Sequence, residues 1–333
     1  MRTDHYSDFG STTNPKLALR YQPAATLMLR TAWNTGFHAP NVEQMYTGQT
    51  PSHLNNAEPD PLLCPKNPGN PLYCSQNWSY QTGGNTALKP ETSNQLSAGL
   101  VISPLSNLSA SVDFWDIRRN NRIVTPNPEN VLASEPSQVI RNPDGTINYI
   151  QADFVNIAHD DTKGVDLGIK ADGQLWGDHW TVGLDGTYLI SHSVQEAPNL
   201  PGVGYVGQFG DPNNGYSDLY LRWRHTALLG WRHHDWATTL TEQYERGYLD
   251  QAPVGVIPPG FNPYVSSYNL YNLNVAYTGL QHTVLSLTVK NLFDTTPPFS
   301  AHSVDNVVGA GWDAREGEPR LRSFMLALKY KFF

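Results

Sequence analysis

The chain has 333 residues, with 22 Lys+Arg against 30 Asp+Glu, and its formal net charge of -8 excludes a basic, phosphate-tracking nucleic-acid binder. Charged residues are 16%, below the roughly 25% of soluble domains. Mean hydropathy is -0.45 and no run of ~18 apolar residues occurs, which excludes a transmembrane helix and leaves a membrane β-barrel or a soluble all-β protein.

The N-terminus, Met1-Arg2-Thr3-Asp4-His5, is polar and no apolar stretch follows, so no secretory signal is read there. Residues 1–9 have the look of the outer end of a strand, with 8–15 as the loop after it. Alternation then takes over. Segment 16–22 aligns Leu17, Leu19 and Tyr21, and 26–34 aligns Leu27, Leu29, Thr31 and Trp33. A long loop, 35–91, contains Cys64 and Cys74 in a Pro-rich stretch. Two cysteines closing a short polar loop point to a disulfide and an oxidising compartment, the alternative being reduced surface thiols. With only His53 nearby they do not make a zinc site.

Segment 92–102 aligns Leu96, Ala98, Leu100 and Ile102, and 107–120 aligns Leu108, Ala110, Val112 and Phe114. After a loop at 121–161, segment 162–172 aligns Val165, Leu167, Ile169 and Ala171, and 178–190 aligns Trp180, Val182, Leu184, Gly186, Tyr188 and Ile190. A loop at 191–217 leads to 218–231, with Leu219, Leu221, Trp223, Leu229 and Trp231. Segment 236–247 fits worst, because Trp236, Leu240 and Tyr244 share a face with Glu242, and a bulge or register change is expected there. A loop at 248–266 precedes the hairpin of 267–278 (Tyr271, Leu273, Val275, Tyr277) and 282–291 (Leu285, Leu287, Val289). A loop at 292–319 precedes 320–332, with Phe324, Leu326, Leu328, Tyr330 and Phe332.

Every second connection is short: 23–25, 103–106, 173–177, 232–235 and 279–281. In an up-and-down barrel this puts short turns at one end and long loops at the other, the outer-membrane pattern. Aromatic residues cluster at both ends. Tyr21, Trp180, Trp231, Trp236, Tyr277 and Tyr330 lie near the short turns; Trp33, Phe114, Tyr188, Trp223, Tyr244, Tyr271 and Phe324 lie nearer the loops. Two such belts mark two membrane–water interfaces. The opposite face is polar, with Asn272, Asn274, Ser286, Thr288, Lys290, Asp166, Lys170, Asp185, Thr187, Arg222 and Arg224, which suits a wet or plugged lumen. The expectation is therefore all-β: an antiparallel up-and-down transmembrane β-barrel.

Five segments in order resemble the C-terminal barrel half of TonB-dependent outer-membrane receptors. They are Arg30 through Gly36-Phe37 to Ala39-Pro40; Leu88-Lys89-Pro90-Glu91-Thr92-Ser93; Gly164-Val165-Asp166; Asn291-Leu292-Phe293-Asp294; and Gly317-Glu318-Pro319-Arg320 with the aromatic end. Two departures stand out: Ser97 occupies a place where the family often has Glu, and Phe333 lies one residue beyond the alternating set that ends at Phe332. The resemblance implies 22 strands around an N-terminal plug that contacts TonB. The 11–12 strands counted here make residues 1–333 a partial barrel, the C-terminal portion, with neither plug nor signal peptide. It further implies outer-membrane lipid as surroundings, a Gram-negative outer-membrane location within a longer precursor, and recognition of Tyr330, Phe332 and Phe333 by the barrel-assembly machinery.

Function on this reading is energy-coupled uptake of a scarce ligand of siderophore, cobalamin or oligosaccharide type, with TonB acting only through the missing plug and this half not transport-competent alone. Loop aromatics Trp78, Tyr80, Tyr205, Phe209, Tyr216, Tyr264 and Trp312 are candidate ligand contacts, each also readable as an ordinary loop anchor. Arg222, Arg224, Asp166, Lys170 and Lys290 are candidate lumen charges, paired with neighbours or facing an anionic ligand or plug. The alternatives are a smaller passive porin and an outer-membrane barrel enzyme. No G-x-S-x-G or H-E-x-x-H occurs, His159-Asp160-Asp161 reads as a solvated loop edge, and His233-His234 sits in a short turn, so neither an enzyme nor a cofactor is expected.

Overall fold

The computed structural model describes residues 1–7, 10–195, 202–211, 216–250, 259–301, 311–313 and 316–332. Its frame is one antiparallel sheet of eleven long strands. These are β1 (Lys16–Ala24), β2 (Leu27–His38), β3 (Glu91–Leu105), β4 (Leu108–Val124), β5 (Val155–Leu175), β6 (Asp178–Gln195), β7 (Trp223–His233), β8 (Trp236–Glu245), β9 (Tyr268–Leu280), β10 (Thr283–Lys290) and β11 (Ser323–Tyr330). Each pairs with its sequence neighbour, and the edge strands β1 and β11 do not pair with each other. This is a partial barrel. Among the described residues no helix is long and apolar enough to cross a membrane, which leaves crossing by strands untouched.

Register decides the faces, because residues directly opposite one another share a side. Following the pairs from Leu17↔Trp33 to Thr283↔Tyr330 places the thirteen belt aromatics on one face with the aliphatic set. That face is the outer wall. Its aliphatic band lies open: Leu100's neighbours Leu29 and Val112, and farther round Leu229, Leu287 and Leu326, are all exposed. A membrane is the solvent such a band requires.

The structure corrects four local expectations. Residues 10–14 are strand, not loop: Gly10–Asn14 pairs with Arg2–Tyr6 in a two-stranded ribbon, which Gly10 turns at φ 75°. Segment 218–231 is broken. Tyr216–Leu219 pairs with Phe209–Asp211 in a separate ribbon, and β7 begins only at Trp223. Strand β8 runs in unbroken register with both neighbours, so no bulge forms at Glu242. Its carboxylate accepts a hydrogen bond from the Tyr271 hydroxyl at 2.6 Å and faces His225 Nε2 at 3.5 Å, which removes the need to distort the strand. A register shift occurs instead between Lys163 and Gly164 on β5, opposite β6. Finally, β5 starts at Val155, well before the expected 162, so His159-Asp160-Asp161 is strand rather than loop edge.

Candidate ligand-capture face and lumen

The long connections build structure of their own. The loops at 39–90 and 125–154 share a four-stranded sheet in the order Thr50–His53, Ser79–Thr82, Ile147–Gln151, Val139–Arg141. Helix Pro128–Ser134 is capped by the Asn127 side chain and carries Val131 and Leu132 into a small core with Leu54, Val139, Ile147, Ile150 and Ala152. Buried Asp60 locks the two loops together. It accepts from Arg141 Nη1 at 2.7 Å and Nη2 at 2.8 Å, and from the backbone N–H groups of Leu62 and Leu63. Burial alone would raise the Asp60 pKa, but the Arg141 and backbone hydrogen bonds outweigh it and hold the carboxyl below its ordinary value. Cys64 and Cys74 form a disulfide in the same module.

Asn156 stitches this module to the wall: its side chain accepts from Lys89 N and donates to the carbonyls of Lys89 and Asn121. Gly84 presses against the Met45–Tyr46 backbone so closely that any Cβ there would clash. A second cluster, Phe209, Tyr248 and Val265 with Leu219 and Leu221, covers the β7–β9 sector. Burial first of all pushes the Tyr248 hydroxyl above its ordinary range.

The sequence candidates separate on this geometry. Trp78 and Tyr80 pack against the loop core, and the Trp78 indole N–H donates to the Glu58 carbonyl. Tyr205 is 0% exposed and Phe209 is buried, so neither meets a ligand without opening its loop. All four pack into the loop interiors, Tyr205 and Phe209 buried and Trp78 and Tyr80 half-buried. Tyr264 is exposed, and Trp312 lines a pocket with Tyr248, Tyr268 and Pro297. The side chain of Tyr216 and the whole of Phe333 lie outside the described residues. Phe332 makes an edge contact with Tyr330.

On the lumen face, pairing assembles a row that sequence spacing could not show: Arg30, Gly99, Asp113, Asp166, Thr187, Arg224 and Glu245 stand directly opposite one another on consecutive strands. Arg30 grips Asp113 with two nitrogens, across Gly99; a Cβ on Gly99 would overlap the Asp113 carboxylate. Asp166 accepts from the Thr187 hydroxyl at 2.8 Å. Lys170 and Lys290 also face the lumen by alternation. Arg222 does not belong to the row. It sits in the link before β7, with its guanidinium turned to the carbonyls of Val206, Ile190 and Leu189 at 3.3–3.5 Å. The loop that replaces the expected strand start is the reason.

A buried network that sequence reasoning missed lies where β4, β5 and β6 rise past the wall. Asp160, fully buried, pairs with Arg119 and lies 3.8 Å from Arg122. Thr162 bridges Asp160 to His192 Nδ1, and the His192 ring stacks on Tyr220 at 3.7 Å between centroids. At the turn end, Asp178 accepts from the Trp231 indole at 3.0 Å and meets His233 Nδ1 at 2.6 Å. Among the described residues no three His, Cys, Asp or Glu side chains are placed to hold a metal ion together.

Comparison with known proteins gives the architecture its family. A family model, TonB dependent receptor-like, beta-barrel, matches residues 1–292. The chain belongs to the TonB-dependent receptor β-barrel family. Members of this family are outer-membrane receptors and transporters, not enzymes. Solved structures agree on the fold. A mutant ferric enterobactin receptor from Pseudomonas aeruginosa, in complex with enterobactin, superposes with a TM-score of 0.70 at 19% identity, over 98% of this chain and 42% of that one. The siderophore receptor PirA from Acinetobacter baumannii gives 0.66 at 17% identity, over 99% and 42%. The ferric-catecholate import receptor Fiu from E. coli gives 0.57 at 13%, over 97% and 35%. The chain thus spans about two fifths of the first two receptors and about a third of the third. No curated protein matches it.

Proposed function

We propose that this chain is the C-terminal part of the barrel of a TonB-dependent receptor that captures a scarce, large ligand of siderophore, cobalamin or oligosaccharide type and delivers it through energy-coupled uptake. The outer loops form the capture surface. TonB acts through a plug seated in the lumen, so these residues alone do not complete transport. The observation that carries the reading is the division of labour along one sheet: a lipid-type wall and polar, charged inner face, short turns at one end, and at the other long loops folded into modules with their own cores. A passive pore has no use for so much folded loop. The siderophore receptors of the same fold support the ligand class by analogy.

The test is uptake. Cells carrying the full reading frame are compared with a deletion strain for accumulation of ferric siderophores, cobalamin and maltodextrins, with and without TonB. TonB-dependent accumulation of one class is expected. Equal, TonB-independent leakage of all three would overturn the proposal.

A further inference from the structure

The short-turn end carries a histidine pair that neither the wall nor the capture loops use. Strand β7 ends at His233 and β8 begins at Trp236, directly opposite it, so His234 and Asp235 are the two central residues of the hairpin turn. His234 sits at φ 48°, a left-handed conformation that such turns usually give to Gly, Asn or Asp. Its ring lies against that of its neighbour, with His234 Nδ1 3.1 Å from His233 Nε2. Both residues are exposed, and His233 stands one row beyond the belt residue Trp231 on the same face of β7.

The other partner of His233 decides what the pair can do. Asp178 Oδ1 meets His233 Nδ1 at 2.6 Å, and the Trp231 indole N–H holds the second oxygen, Asp178 Oδ2, at 3.0 Å. A carboxylate only accepts, so the His233 proton sits on Nδ1 and the Nε2 lone pair points away from Asp178. That is the tautomer in which an imidazole ligates a metal, with its far N–H on a carboxylate. His234 donates to this lone pair by a bent bond. The two rings are inclined at 72° with centroids 4.3 Å apart, where a straight N–H···N bond of this length would hold them about 5 Å apart or more. The nitrogens therefore stand side by side rather than head on. Two nitrogens 3.1 Å apart, each ~2.0–2.1 Å from one ion, subtend roughly 95–102°, between the right angle of a tetragonal ion and the tetrahedral angle.

We propose that His233 Nε2 and His234 Nδ1 bind a divalent transition-metal ion, Cu2+ most tightly, at the short-turn rim. Imidazole suits Cu2+, Ni2+ and Zn2+, and Cu2+ leads that series at a given nitrogen site. Binding releases no net proton: the His234 proton moves from Nδ1 to Nε2, which frees the Nδ1 lone pair for the ion. Asp178 is a positioning residue. It fixes the His233 ring and its tautomer and adds negative charge behind the pair, whereas Arg232 belongs by alternation to the opposite face of β7. Two protein nitrogens leave the other coordination positions to water, so the site is open rather than closed. It lies at the far end of the strands from the long loops and does not depend on which ligand those loops capture.

The test uses protein from the full reading frame, purified in detergent without a histidine tag and titrated with Cu2+ supplied as its glycine complex. Electron paramagnetic resonance reads the ion. The strongest site is expected to take one Cu2+ per chain and to show coupling to two imidazole nitrogens. His234→Asn, which suits the same left-handed turn, should weaken binding at least tenfold and remove one of those nitrogens. Asp178→Asn should weaken binding about tenfold while keeping both, because it acts through His233. Unchanged binding in His234→Asn overturns the proposal, as does a strongest site with no imidazole coupling. Displacement of the ion by millimolar Mg2+ would mark carboxylates as the ligands and also overturns it. Unchanged binding in Asp178→Asn would overturn the positioning role. His233→Gln should match His234→Asn; if it is not recovered folded, judged by heat-modifiable gel mobility, His234→Asn decides.

Discussion

The wall and the loop modules are held by opposite means. The wall has almost no core. Its strands are joined by ladder hydrogen bonds and cross-strand pairs, and its apolar residues face outward, as Ile169, Leu229 and Leu326 do. The module at 39–90 and 125–154 resembles a miniature soluble domain, with buried Ile150 and Ala152, a buried ion pair and a disulfide. Damage to the wall is therefore felt through lipid and damage to the module through its interior.

The largest contrast comes from charging the wall. Ile169→Arg, midway along β5 on the outward face, is expected to cost up to ~4 kcal/mol, measured by denaturant unfolding in vesicles. The adjacent lumen position tolerates charge already, as Lys170 shows; equal sensitivity at both would break the assignment of faces.

Asp60→Asn attacks the module. Breaking a buried pair costs about 3 kcal/mol, the low end because Arg141 keeps some solvent contact. Hydrogen exchange should rise across Thr50–His53, Ser79–Thr82 and Val139–Arg141 and leave β5–β9 unchanged. The same bond has a pH signature. The folded Asp60 carboxyl lies below its ordinary value, so its contribution is present above roughly pH 4, the unfolded value, and is lost as pH falls beneath it. Loosening of the module on alkalinisation instead would contradict this sign.

Cys64→Ser should weaken the module by about 2 kcal/mol, since the loop it closes is short. Limited proteolysis would show new cuts between 64 and 74, and reductant on the wild type should reproduce them. Glu242→Gln should change wall stability by under ~1 kcal/mol, because a neutral amide still accepts from Tyr271 while facing lipid without a charge. A loss of several kcal/mol would mean that the carboxylate's contacts with Tyr271 and His225 are essential to the wall.

Alternation made the wall legible in the sequence. A period of two fixes the two faces of a strand, and short turns fix which strands are hairpin partners. That is why the belt aromatics, most of the strands and their alternating connections could be read from residues such as Trp180, Tyr277 and Gly279 alone, whereas the cysteines stayed open between a disulfide and reduced thiols until the structure joined them. The family signature in Leu88 to Ser93 and Asn291 to Asp294 was local too.

What tertiary structure decided was whatever depends on residues far apart in the chain. Loop aromatics look alike in sequence, but only packing showed that Tyr205 is buried and Trp78 half-buried while Tyr264 is open to solvent. Register across seven strands was needed to bring Arg30, Asp113, Thr187, Arg224 and Glu245 into one row. The Asp60–Arg141 bond spans two different loops, and no local pattern announces it. Glu242 drew attention as a misfit because its charge was visible; its relief by Tyr271 was not, since the partner belongs to the next strand. A strand's faces follow from its own side chains, but its partners follow from the chain that folds beside it.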